Sequence, residues 1–92
     1  MKFNVKYTSR FKKDYKRLKK RGYDMGKLLD VIDLLREGSE LPPEYKDHPL
    51  QGNYVGHRDC HIEPDWVLIY FKNESTLVLS MTRTGTHSDL FC

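Results

Sequence analysis

The stretch R-D-C-H-I-E-P-D-W-V-L-I-Y, Arg58 to Tyr70, decides the fold. It reads as the end of a polar strand over 54–62, a turn at Glu63 and Pro64, and a strongly apolar strand over 66–71. Working outward, Asn73 to Ser75 turn the chain again into a last strand over 76–83, and Gly85 and Thr86 start a short terminal helix or turn. Upstream, Pro42, Pro43, Pro49 and Gly52 mark 39–53 as a long ordered loop that Leu41, Tyr45 and Leu50 can pin down. Before it lie two helical patterns. Met25, Leu28, Leu29, Ile32 and Leu35 follow a cap at Asp24 and end at Gly38; Phe11, Tyr15 and Leu18 follow a cap at Thr8 or Ser9 and end at Gly22. Phe3, Val5 and Tyr7 alternate with polar residues, the period of a half-buried strand. The order β-α-α-β-β-β, with a possible terminal helix, predicts an α+β class: an antiparallel sheet made mostly by the C-terminal hairpins, two helices packed on one face, and the other face free for a site.

Ninety-two residues suffice for one domain, read as 1–92, with one core. At 38% hydrophobic and 32% charged residues the composition is too apolar for a disordered chain, and no stretch approaches transmembrane length or a signal peptide, so a cytoplasmic protein without membrane partners is expected. Cys60 and Cys92 have neither zinc-finger spacing nor disulfide-scaffold density and are read as reduced thiols. The net charge of +3 conceals an asymmetry: residues 1–23 hold ten Lys and Arg against one acid, Asp14, whereas residues 24–92 hold six basic and twelve acidic residues. A solvated helix face usually mixes both signs, so this one-signed segment points to a polyanionic partner.

Three of the four histidines, His48, His61 and His87, lie at turn or strand-end signals beside acidic residues. Cleavage of RNA by its own 2′-hydroxyl needs a base, an acid and a cation at the phosphorus oxygens. Histidine suits both proton roles because its pKa lies near working pH. Arg83 offers a planar fork of donors for the phosphate, Asp65 can orient His48 or His61 as base, and His87 past the Gly85 turn is the candidate acid. Trp66, Tyr54 or Phe91 can stack an unpaired base. Singly each has a plainer reading: His48 bracing its loop, Asp65 closing a turn, Trp66 and Phe91 as core. A zinc site ranks last, since the spacing of His48, His61, Asp65 and His87 matches no short metal motif.

The strings Y-K-D-H-P-L-Q-G (Tyr45 to Gly52), R-D-C-H-I-E-P-D-W-V-L-I-Y and R-T-G-T-H-S-D-L-F (Arg83 to Phe91) resemble those of the YafQ-type toxins of the RelE/ParE superfamily. The resemblance spans essentially the whole chain. It implies the stable partner of a type II toxin–antitoxin pair: a ribosome-dependent endoribonuclease that needs no metal or other cofactor and cuts mRNA in the A site, with a DinJ-like antitoxin. It further implies catalytic roles for His48, His61, Asp65, Arg83 and His87, and an mRNA pocket shaped by Trp66 and Phe91. The basic first helix, through Lys12, Lys13, Lys16, Arg17, Lys19 and Lys20, would then lie on ribosomal RNA. Tyr54, His57 and Cys92 depart from the family pattern. The alternative from the same superfamily is a ParE-like toxin that inhibits a protein such as gyrase without chemistry.

Overall fold

In the computed structural model, which describes residues 2–91, the chain runs β1 (Asn4–Tyr7), α1 (Ser9–Lys20), α2 (Met25–Arg36), β2 (His48–Pro49), β3 (Arg58–Glu63), β4 (Trp66–Asn73), β5 (Val78–Gly85) and α3 (His87–Phe91). Single 3-10 turns at Pro43–Tyr45 and Gly52–Tyr54 flank β2. This is the expected α+β class and element order. The five strands form one sheet, ordered β1-β5-β4-β3-β2. The hairpins are antiparallel as expected, but β1 runs parallel to β5. A parallel neighbour requires a long crossover, and the two helices after β1 supply it. The other addition is β2, two residues within the expected loop, whose His48 pairs with Asp59.

Local chemistry sets the helix ends. The Thr8 hydroxyl accepts the Phe11 N–H at 3.0 Å and donates to the Thr82 carbonyl at 2.7 Å, so one side chain caps α1 and ties it to β5. Gly22, at φ 88°, takes the left-handed turn that lets the Tyr23 N–H reach the Leu18 carbonyl, and Asp24 then caps α2 by accepting the Gly26 N–H at 3.1 Å.

Phe11 and Leu18 of α1 and Leu28, Val31, Ile32 and Leu35 of α2 cover one sheet face, packing with Cys60, Leu68, Tyr70, Leu79 and Met81. Leu28 is fully buried, so its loss to alanine should cost about 3 kcal/mol. Leu29, placed by its periodicity on the apolar stripe, is instead 45% exposed. The opposite sheet face is not bare either. Val67 and Ile69 pack there with Leu90 of α3, flanked by Leu50 and Tyr54, leaving the rest of that face for polar side chains.

A bulge in β5 decides which residues reach that face. Ile69 pairs with Arg83 and Tyr70 with Met81, so Thr82 is the extra residue. In an unbroken strand Met81 and Arg83, two apart, would share a face; the bulge keeps Met81 in the helix-side core and turns Arg83 away. Cys60 is a free, fully buried thiol, and burial raises its pKa; Cys92 lies outside the described residues. Among the described residues, no helix is long and apolar enough to cross a membrane.

Candidate active site

Strand register brings the histidines together. His61 pairs with Val67 and Asp59 with Ile69, so both point to the face opposite the helical core, and His48 joins them across the β2–β3 ladder. α3 adds His87 at its first residue. The rings form a row: His48 to His61 is 6.3 Å between centroids, His61 to His87 is 5.4 Å, and His87 to Phe91 is 6.1 Å. Tyr54 stands edge-on to Phe91 at 6.1 Å. A hollow of about 420 Å³ beside His61 is lined by Lys27, Tyr45, Lys46 and Glu63 among others, and one of about 330 Å³ lies between Gln51, Asn53, Tyr54 and Phe91 at the far end.

Each outer histidine is held by a carboxylate. Asp65, in the β3–β4 turn, accepts the His87 Nδ1–H at 2.6 Å and the His87 backbone N–H at 3.1 Å on the same oxygen. The Nδ1–H tautomer is thereby set, and Nε2 is left for substrate. The two bonds from His87 hold the Asp65 carboxyl below its ordinary pKa, the side-chain bond contributing most. This corrects the expected arrangement, in which Asp65 oriented His48 or His61.

His48 has a different carboxylate, Asp59. Its Nδ1 lies 2.7 Å from the Lys46 carbonyl, which can only accept, so Nδ1 carries a proton. Its Nε2 lies 3.1 Å from Asp59 Oδ1. The distance is that of an ion pair, yet Asp59 Oδ1 makes no hydrogen bond among the described residues. Burial raises the Asp59 pKa, and the nearby His48, His61 and His87 oppose that rise. Asp47 fixes the neighbouring backbone, accepting from the Tyr70 hydroxyl at 2.6 Å and from Arg58 Nε at 3.2 Å. Burial raises the Tyr70 pKa, and the bond to Asp47 adds to it.

Of the residues expected at the substrate, one lies elsewhere and one is partly committed to another partner. Trp66 is fully buried on the helix side, donating from Nε1 to Thr84 Oγ1 at 2.9 Å with Tyr23 edge-on at 5.0 Å, so it cannot stack a base. Arg83 is 9% exposed, and its Nε and Nη2 are spent on Asp14 at 2.7 and 3.0 Å, leaving Nη1 where a full fork was expected. Asp14 also accepts the Thr84 N–H, past the point where β1 stops covering β5. The bond to Asp14 raises the Arg83 pKa, against the effect of burial.

Sequence reasoning missed Asp59 and Asp14, and both left a signal. Asp59 is two residues before His61 on a strand and so shares its face; Asp14 lies three after Phe11 and four before Leu18, on the buried stripe of its helix. Lys12, Lys13, Lys16, Lys19 and Lys20 are exposed along α1, and the Arg17 guanidinium turns back to Asp14 at 2.9 Å. Among the described residues, no three His, Cys, Asp or Glu side chains converge as metal ligands.

A family model described as "Bacterial toxin of type II toxin-antitoxin system, YafQ" matches residues 3–92. The chain belongs to the YafQ family of toxins. The mRNA interferase toxin YafQ of Escherichia coli strain K12 is 46% identical over 89 residues, covering 96% of this chain and 95% of that protein. The crystal structure of YafQ from E. coli strain BL21(DE3) superposes with a TM-score of 0.92 at 44% identity, covering 98% and 99% of the two chains. The toxin of the E. coli DinJ-YafQ toxin–antitoxin complex superposes at 0.91 and 44% identity over the full length of both chains. Tyr54 and His57 pack edge-to-face on each other at 6.0 Å.

Proposed function

We propose that this YafQ-family toxin is an mRNA-cleaving endoribonuclease that acts on the ribosome without a metal ion. The observation that carries the reading is the row of three histidines, its two outer members each held by a carboxylate, with one hollow beside the middle ring and another beside Phe91. The naming of its E. coli relative as an mRNA interferase supports the reaction class.

His61, which makes no hydrogen bond to any described residue, takes the proton of the 2′-hydroxyl. The 2′-oxygen then attacks phosphorus and the bond to the 5′-oxygen breaks. His87, oriented by Asp65 through Nδ1 and carrying a proton on both ring nitrogens, gives its Nε2 proton to that leaving oxygen and reverts to the Nδ1–H tautomer, so the products are a 2′,3′-cyclic phosphate and a 5′-hydroxyl. The remaining Nη1 of Arg83 stabilises charge on the phosphorus oxygens, and His48, braced by Asp59, adds positive charge beside them. Phe91, 45% exposed beside His87, stacks a base next to the scissile bond. The lysines of α1 lie on ribosomal RNA, and a DinJ-like antitoxin neutralises the protein, as the partner in the E. coli complex suggests.

The test maps cleavage ends on mRNA in EDTA, with and without ribosomes. Cyclic or 3′-phosphate ends on ribosome-bound message are expected, and a 3′-hydroxyl would sink the mechanism. His87→Gln should slow single-turnover cleavage by roughly 10²–10⁴-fold with ribosome affinity unchanged.

A further inference from the structure

α3 carries His87 and Phe91, yet it has only five residues, far below the length at which a helix holds itself together. Something else must fix it. Leu90 packs on Val67 and Ile69, and a reciprocal cap closes its first turn: the Thr86 N–H donates to Asp89 Oδ2 at 3.0 Å and the Asp89 N–H to Thr86 Oγ1 at 3.1 Å. The Asp89 carboxylate then meets a guanidinium from 68 residues earlier in the chain. Arg21, the C-cap residue of α1, donates from Nη1 to Oδ2 at 2.8 Å and from Nη2 to Oδ1 at 3.2 Å. Gly85 makes room for this, because a Cβ there would lie 3.0 Å from both Cβ and Oδ2 of Asp89.

We propose that Arg21 is a positioning residue for His87, acting through Asp89 as a latch that holds α3 against the end of α1. The role of His87 in this inference rests on the nuclease reading above. The plainer view makes Arg21 one more cation of the basic helix. However, both of its terminal nitrogens are occupied by Asp89, whereas Lys13, Lys16 and Lys20, which line the same groove, form no salt bridge among the described residues. Arg21 also neutralises Asp89, whose charge otherwise repels Asp65, the carboxylate that orients His87. Losing the latch therefore loosens the helix and disturbs the partner of its histidine.

Two substitutions of opposite charge effect separate latch from docking. Arg21→Gln removes a positive charge from the basic surface, whereas Asp89→Asn removes a negative one and keeps an oxygen to cap Thr86. Both should lower single-turnover cleavage of ribosome-bound mRNA by about 10-fold, the scale of a small misplacement, and the double variant should be no slower than either. Asp89→Asn should leave the half-saturating ribosome concentration unchanged. In the free protein, both should shift the His87 ring resonances and speed exchange of the Leu90 amide, which bonds the Thr86 carbonyl at 3.2 Å. An Asp89→Asn protein with wild-type cleavage, resonances and exchange, or single effects that multiply in the double variant, would overturn the latch. Should the wild type fail to cleave any message, the nuclease reading falls instead, and the resonances and exchange rates decide the latch by themselves.

Discussion

Asp14 Oδ2 lies 2.7 Å from Arg83 Nε, joining the lone acid of the basic N-terminal segment to a buried arginine on the last strand. The same carboxylate accepts the Thr84 N–H and binds Arg17, so one side chain seals the uncovered edge of β5 and seats α1. Replacing Asp14 with alanine would strand the Arg83 charge and a backbone donor inside the protein. A loss of about 3 kcal/mol in urea unfolding is expected. A loss under 1 kcal/mol would mean that Arg83 finds water or another partner.

Asp59 should behave in the opposite way. Its folded pKa is raised, chiefly by burial, so the ionised form opposes folding and stability falls as pH rises through the range between its unfolded and folded values. Asp59→Asn should therefore stabilise the fold at pH 7 by about 1 kcal/mol while slowing cleavage, because His48 loses its carboxylate partner. Thermal melts paired with single-turnover rates check both halves.

Asp89 titrates with the other sign. The bond from Arg21 holds its folded pKa below the ordinary range, so its contribution is complete above the unfolded pKa and is lost as pH falls below about 4. Stability measured from pH 6 to pH 3 should fall less steeply in Asp89→Asn than in the wild type. Parallel slopes would show the ion pair to be energetically idle.

Of Trp66 and Phe91, both expected to contact RNA, only Phe91 should do so. Trp66→Ala empties the fully buried core around Tyr23 and Thr84 and should cost about 4 kcal/mol, whereas Trp66→Phe should keep RNA binding. Phe91→Ala, at a half-exposed ring, should barely move the unfolding midpoint yet weaken binding by about 1–3 kcal/mol. Denaturation and filter-binding series on the three variants give the contrast.

Reversing Lys12, Lys13, Lys16 and Lys20 to glutamate should leave the fold intact, since all four are exposed, and should weaken ribosome binding and flatten its salt dependence. Arg17→Glu should instead destabilise the protein by setting a second carboxylate against Asp14. Affinity titrations at several salt concentrations, with a melt for each variant, test the distinction.

The sequence by itself determined the elements and the chemistry they carry. Thr8 and Asp24 cap the helices, Gly22 ends the first, Pro64 turns the hairpin, and His48 and His87 open their elements, because such signals act over a few residues. Tertiary structure decided which side chains meet. Trp66 to Tyr70 are buried on both sheet faces, so alternation carries no sign of which face holds the site, and Trp66 read equally as core or platform. The partners of Arg83 and Asp89 lie 69 and 68 residues away, set by the parallel docking of β1, the bulge at Thr82 and the seat of α1. Asp65 reaches His87 rather than its sequence neighbour His61 because successive strands bring the β3–β4 turn beside the start of α3. Register and strand order are properties of the packed sheet, and no local pattern encodes them.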